Sequence, residues 1–205
     1  MAIVAGSLLV LLVSSLVAVA DDEVPDWEVS VLEFFNGWPD QLEPIMWVLQ
    51  QAGLLFAPIG VGLVIVALRR RWHDLIPFVL VLPLKLFFER GIVKQLVERE
   101  RSFTSVGPEI VVRGTGFEGV SFPSGHSITA FATAVLVTAF LPACWRPLPV
   151  LWAVVVAVSR MYYGEHNLLD VVAGAAIGTA FGTVLWFLVL NRPAHSDDID
   201  PARNA

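Results

Sequence analysis

The sequence predicts an all-α polytopic membrane protein: a bundle of about six transmembrane helices with one interfacial amphipathic helix. Three observations carry that expectation. First, 56% of the 205 residues are hydrophobic and 16% charged, with a mean hydropathy of +0.71, a balance that ordinary water-soluble domains do not have. Second, the apolar residues are gathered into uncharged runs near the ~20 residues that cross a bilayer as helix. Third, the few cations are bunched between those runs, as positive-inside sorting of loops requires. The chain has room for one bundle and not for a sizeable soluble domain beside it, so residues 1–191 read as a single membrane-embedded domain. A net charge of −6 argues against a nucleic-acid partner, because phosphate-backbone binders need clustered excess cation. The lone Cys144 excludes an internal disulfide and a multi-cysteine metal site, and reads as a buried or lipid-facing small residue.

Residues 1–20 carry no charge and form the first expected span. They lack the basic start of a secretory signal, and Ala18-Val19-Ala20 only weakly suggests a cleaved leader as the alternative. Over residues 21–40, Val24, Trp27, Val31, Phe34 and Phe35 recur at helical spacing among Asp22, Glu23, Glu28 and Glu33. That pattern fits a short helix lying in the interface with Trp27 and Trp38 at headgroup depth; a connecting loop is the plainer reading. Residues 44–68 are uncharged and end on Arg69, Arg70 and Arg71, which the positive-inside rule puts in the cytoplasm.

Residues 75–88 are apolar apart from Lys85, and the helix is expected to run past the lipid and carry Lys94 near its outer end. Lys85 is either functional, as intramembrane charges often are, or a snorkelling stem and partner of Glu89 one turn away. From 94 to 122 the chain reads as a loop with some irregular helix, containing Gly107, Gly114, Gly116 and Gly119. Residues 127–145 form the next span and Arg146 follows in the cytoplasm. Residues 147–159 cross back to Arg160, and 171–191 close the set. The tail, 192–205, is polar, acidic and expected to be cytoplasmic and disordered. Threaded from Arg69 to Arg71, the spans put both termini in the cytoplasm and three polar clusters on the outer side: 94–101, 123–126 and 160–170.

Those clusters carry the chemistry. If the chain is helical from His166 onward, His166 and Asp170 share one face, and the carboxylate can hold one imidazole nitrogen while the other stays basic. Gly174, Gly178 and Gly182 continue the four-residue step and read as helix-packing positions. In Pro123-Ser124-Gly125-His126, Ser124 is a natural N-cap, Gly125 permits close backbone approach, and first-turn N–H groups suit an anion. Plain capping chemistry and an interfacial polar histidine are the bland alternatives. Lys94, Arg101 and Arg160 offer a phosphoryl group three cations, two of them able to grip oxygens in pairs. Loop arginines are more usually solvated charge, yet Arg160 terminates an apolar run just before the histidine and is placed to neutralise transition-state charge.

The order Lys-x6-Arg, Pro-Ser-Gly-His and Ser-Arg-x5-His-x3-Asp resembles the three signature motifs of the type 2 phosphatidate phosphatase superfamily. That group includes membrane lipid phosphatases, bacterial acid phosphatases and vanadium haloperoxidases. The likeness covers residues 94–170 in motif order, and the span layout is similar to the membrane branch. It implies that His166 is the nucleophile of a phosphohistidine intermediate, that Asp170 orients it, and that His126 protonates the leaving oxygen. Lys94, Arg101, Ser124, Gly125 and Arg160 are implied as the substrate-phosphate set, with no metal and no cofactor.

One departure is that the first motif usually ends Arg-Pro, whereas Ser102 follows Arg101; the loop there is expected to be less restrained. The activity implied is hydrolysis of a lipid phosphate or diphosphate, with a polyprenyl diphosphate-type carrier favoured, at the extracytoplasmic face of a bacterial inner membrane. The partners expected are this substrate and membrane lipids. Alternatives are a lipid-to-lipid phosphotransferase, a phosphatidylglycerol phosphate or phosphatidate phosphatase, and a non-catalytic lipid-binding protein. A Ser-His-Asp hydrolase on Ser124 lacks the Gly-x-Ser-x-Gly elbow. A metal at His126, Glu165, His166 and Asp170 would be repelled by Arg160 and Lys94.

Overall fold

A computed structural model describes residues 1–20, 23–113 and 119–190; Asp22, Gly114, Gly116 and the tail from Arg192 lie outside the described residues. All regular structure within them is helical. The first helix, α1 (Ala2–Ala20), has no charge to keep it from lipid. It packs along the last long helix, buries Ser7 and Ser14, and leaves Leu8, Leu9, Leu12 and Leu16 exposed.

Helix α2 (Asp26–Asn36) follows Pro25 and has Asp26 and Glu28 in its first turn, where acids complement the helix dipole. The connecting-loop reading therefore does not hold, and the amphipathic assignment needs one correction. The buried face is Glu28, Leu32 and Asn36 at successive four-residue steps, while Trp27 and Phe34 are exposed. Glu28 thus points inward and is fully buried, because a buried arginine meets it there. The other end of α2 is fastened by Asn36, whose side-chain amide donates to the carbonyls of Val111 (2.8 Å) and Tyr162 (3.0 Å). Arg113 donates to the carbonyls of Asn36 and Tyr162, both at 2.8 Å.

The expected span over 44–68 is broken into α3 (Glu43–Gln50) and α4 (Ala57–Arg69), bent by 75° across the intervening turn. Gly53 permits the break: a Cβ there would lie 2.8 Å from Cβ of His126 and 2.9 Å from Val156. Helix α5 (Ile76–Phe88) passes through a π-helical turn, Glu89–Val93, into the short α6 (Lys94–Leu96), so Lys94 does sit near the end of one continuous helical run. The loop beyond contains α7 (Ser102–Ser105) and leads to α8 (Gly125–Thr138). Helix α9 (Pro147–Tyr162) has Pro147 at its start, where no N–H is missed. Last comes α10 (Leu168–Leu185), extended by a π-helical turn at Trp186–Leu190. Cys144 is exposed in the turn before α9.

Among the described residues, three helical stretches are long and apolar enough to cross a membrane: Ala2–Ala20, Ala143–Tyr162 and Leu168–Leu190. The bent pair is a fourth if it counts as one span. Length therefore supports three or four crossings where six were expected. The other two expected spans fall on α5 and α8; α8, of 14 residues, is only about 20 Å of helix against a ~30 Å hydrocarbon layer, whereas α5, of 13 residues, gains length only through its continuation into α6.

The glycine stripe packs as expected. A Cβ at Gly174 would lie 2.5 Å from the Ser124 carbonyl oxygen, one at Gly182 would lie 2.7 Å from Cβ of Val135, and one at Gly178 would collide with the Ile128 carbonyl. These contacts press α10 against α8. Gly178→Val is expected to destabilise the protein by about 1–3 kcal/mol, seen as a lower melting temperature in detergent. An unchanged melting temperature would mean that the contact is slack.

Candidate active site

A single cavity of about 620 Å³ is lined by Lys94, Arg101, Gly125, His126, Arg160 and His166. The three sequence clusters therefore meet. The join is a backbone hydrogen bond, Ser124 N–H to the Asp170 carbonyl at 2.9 Å, which ties the start of α8 to the first turn of α10. Ser124 and Asp170 are both fully buried.

The geometry corrects two local expectations. Helix α10 begins at Leu168, so His166 precedes it instead of sharing its face with Asp170. The two still meet, with Nδ1 of His166 3.4 Å from Oδ2 of Asp170, because Asp170 turns back toward the N-cap and accepts the Asn167 N–H at 2.9 Å. Among the described residues, none meets Nδ1 in hydrogen-bond geometry. Ser124 occupies the N-cap position of α8, but its side chain caps nothing. Among the described residues its buried hydroxyl has no hydrogen-bond partner, a costly state for a polar group unless a ligand completes it.

Carboxylates hold the cations. Arg160, in the last turn of α9, donates to the Glu165 carboxylate on one side and to the Gln50 side-chain oxygen on the other. Arg101 donates to the Glu165 carbonyl at 3.3 Å and lies 3.6 Å from its carboxylate. Glu89 bridges Lys94 (3.1 Å) and Lys85 (3.3 Å). Lys85 is thus the partner of Glu89 that one reading expected, and it also lines the cavity. Glu89 is 5% exposed, and a Cβ at Gly125 would lie 2.7 Å from its carboxylate, so the missing side chain at Gly125 leaves room for that carboxylate beside the α8 N-terminus. Among the described residues, five lining cations (Lys85, Arg90, Lys94, Arg101, Arg160) face three carboxylates (Glu89, Glu98, Glu165), a surplus of two positive charges.

Burial pushes the His166 imidazole below its ordinary range; Asp170 opposes this, and Arg160 and Arg101 reinforce it. The Arg101 guanidinium is also lowered, first by burial, against Glu165, Asp170 and Glu89.

The loop after Arg101 is not slack despite the missing proline. Ser102 is fully buried and its hydroxyl donates to the Gly164 carbonyl at 2.8 Å, while Ser105 donates back to the Arg101 carbonyl at 3.1 Å. Side-chain hydrogen bonds supply the restraint that a fixed φ would have given. Sequence reasoning also passed over Gln50 and Arg99, and read Glu89 only as a partner of Lys85. Arg99 donates to both oxygens of Glu28 (3.0 and 2.6 Å) and to Asp170 (3.2 Å). In sequence it sits in Glu98-Arg99-Glu100-Arg101, which has the look of solvated charge.

The profile of the PAP2 superfamily matches residues 50–194. This chain belongs to that superfamily. Among its curated PAP2 relatives, the lipid A 4'-phosphatase of Bacteroides thetaiotaomicron is 26% identical over 88% of this chain and 85% of its own length. The decaprenylphosphoryl-5-phosphoribose phosphatase of Mycobacterium tuberculosis is 34% identical over 46% of this chain and 50% of its own. The PAP2-type phosphatidylglycerolphosphate phosphatase of Bacillus subtilis shares the fold, with a TM-score of 0.73 at 19% identity over 95% of this chain and all of that one. LpxE of Aquifex aeolicus does so with a TM-score of 0.69 at 20% identity, over 80% and 98%.

Proposed function

We propose that this PAP2 protein is a membrane lipid phosphatase that works through a phosphohistidine. The observation that carries the proposal is the cavity: two histidines and a net positive lining share one space of about 620 Å³, and Ser124, whose buried hydroxyl has no hydrogen-bond partner among the described residues, precedes the lining Gly125. Lys94, Arg101 and Arg160, with Ser124 and the backbone at Gly125, hold the phosphoryl oxygens. Nε2 of neutral His166 attacks phosphorus while its Nδ1–H turns to Asp170. The P–O bond to the leaving group breaks as His126 supplies a proton to that oxygen. His126 then takes a proton from water, which attacks the phosphohistidine and releases inorganic phosphate and neutral His166. Positioning and charge do most of the work in such transfers, and the scheme needs neither metal nor cofactor.

The substrate class proposed is a polyprenyl diphosphate-type carrier, supported by the polyprenyl relative above and by the 33%-identical undecaprenyl-diphosphatase of Sulfolobus acidocaldarius, matched over 42% of this chain and 41% of its own length. A second reading, a saccharolipid phosphate, is favoured by the lipid A 4'-phosphatase because that match spans most of both chains. We further propose six crossings, with α5 and α8 among them, both termini cytoplasmic and the cavity at the extracytoplasmic face of a bacterial inner membrane. The Arg69 to Arg71 triplet supports that orientation.

Purified protein is expected to release inorganic phosphate from one member of a panel holding a polyprenyl diphosphate, its monophosphate, lipid A, phosphatidylglycerol phosphate and phosphatidate. Release should persist with chelator and be inhibited by vanadate. Transfer to a second lipid with no inorganic phosphate would make the protein a phosphotransferase instead. Binding without turnover of any lipid would make it a non-catalytic lipid-binding protein.

A further inference from the structure

We propose that Glu28, acting through Arg99, is a positioning residue for the Asp170–His166 pair, which makes α2 part of the active-site framework. This rests on His166 being the nucleophile. Glu28 is 0% exposed yet carries a full complement of donors: two N–H groups of Arg99 and the Leu169 N–H at 2.7 Å, in the first turn of α10. Arg99 passes the contact on to Oδ1 of Asp170 at 3.2 Å, leaving Oδ2 for the Asn167 N–H and for His166. A continuous path therefore runs from α2 to the imidazole, each link between 2.6 and 3.4 Å. A surface helix places a carboxylate in a fully buried position at real desolvation cost. Here the carboxylate offsets the arginine that would otherwise stand alone against Asp170.

The electrostatics have a definite sign. Asp170 raises the proton affinity of His166; Arg99 weakens that effect and Glu28 restores it. The other charges around His166 are Glu165, Arg160 and Arg101, with His126, Lys85, Glu89, Arg90, Lys94 and Glu98 also lining the cavity. Neutralising Glu28 should therefore lower the His166 titration midpoint, and neutralising Arg99 should raise it. A pair serving only to staple α2 to α10 predicts no fall in kcat in a variant that stays folded. Because Asn36 and Arg113 fasten the far end of α2 independently, Glu28→Gln should keep the helix in place.

The test uses the full-length protein in detergent with ¹⁵N-labelled histidine, the His166 signal being assigned by its loss in His166→Ala. Titration midpoints are expected to move down in Glu28→Gln and up in Arg99→Gln by about half to one pH unit each, and to return close to the starting value in the double variant. On the lipid that releases phosphate, Glu28→Gln should lower kcat by about 10- to 100-fold with KM within about twofold, and Arg99→Lys should lose less than Arg99→Gln. Shifts of the same sign, or none, in proteins with unchanged circular dichroism would overturn the proposal. So would unfolding of both single variants and the double one, which would make the pair a staple. The titration needs no substrate, so a panel without turnover counts against the phosphatase reading alone.

Discussion

His166→Ala is expected to lower kcat for phosphate release by at least about 10³-fold while leaving KM within a few-fold. The asymmetry follows from how the cavity is built. Lys94 is held by Glu89, Arg160 by Gln50 and Glu165, and Arg101 reaches the Glu165 backbone carbonyl, so removing the imidazole leaves the anion-binding groups in place. Asp170 is not orphaned either, since Arg99 and the Asn167 N–H still engage it. What disappears is the atom to which phosphorus transfers. Brief exposure to ³²P-labelled substrate and acid-free denaturation should label the wild-type protein and not this variant.

The same imidazole sets the acid side of the pH profile. Burial holds its proton affinity below the ordinary range of about 6.5, and only the neutral form attacks. The rate should therefore persist below pH ~6.5 before falling. Phosphate release at the wild-type rate by His166→Ala would remove the catalytic assignment.

The membrane class, the helix order and the meeting of three motifs were legible because each rests on local signals. Uncharged runs mark helices, the glycine step marks a packing face, and motif order survives whatever the loops do. The misreadings share one physical cause, which is that burial of polar groups is decided by partners far away in sequence. Glu28 has the spacing of a water-facing residue until Arg99, 71 positions on, neutralises it. Ser124 has the sequence of a helix cap, yet the Asp170 carbonyl takes its N–H and its hydroxyl is left for something else. The expected single span over 44–68 breaks because Gly53 must come against His126, and no feature of 44–68 by itself reveals that neighbour. Ser102 looked like a lost restraint; its partner, the Gly164 carbonyl, belongs to the segment leading into His166.

Arg160→Lys carries the second large effect, an expected fall in kcat/KM of about 10²- to 10³-fold although the charge is kept. Arg160 is 3% exposed and spans two fixed acceptors, Gln50 at the end of α3 and Glu165 beside the nucleophile. Its Nε has no hydrogen-bond partner, so the guanidinium is anchored at both tips while a further donor is left over for a ligand. A planar fork can keep both anchors and still present that N–H; a lysine has one nitrogen, and satisfying Glu165 with it leaves Gln50 and the phosphoryl oxygen unmatched. Because equatorial oxygens gain charge only as the P–O bond breaks, the loss should fall mainly on kcat, with KM changing little. If Arg160→Lys keeps activity within about threefold, positive charge alone is sufficient at this position and the fork geometry is incidental.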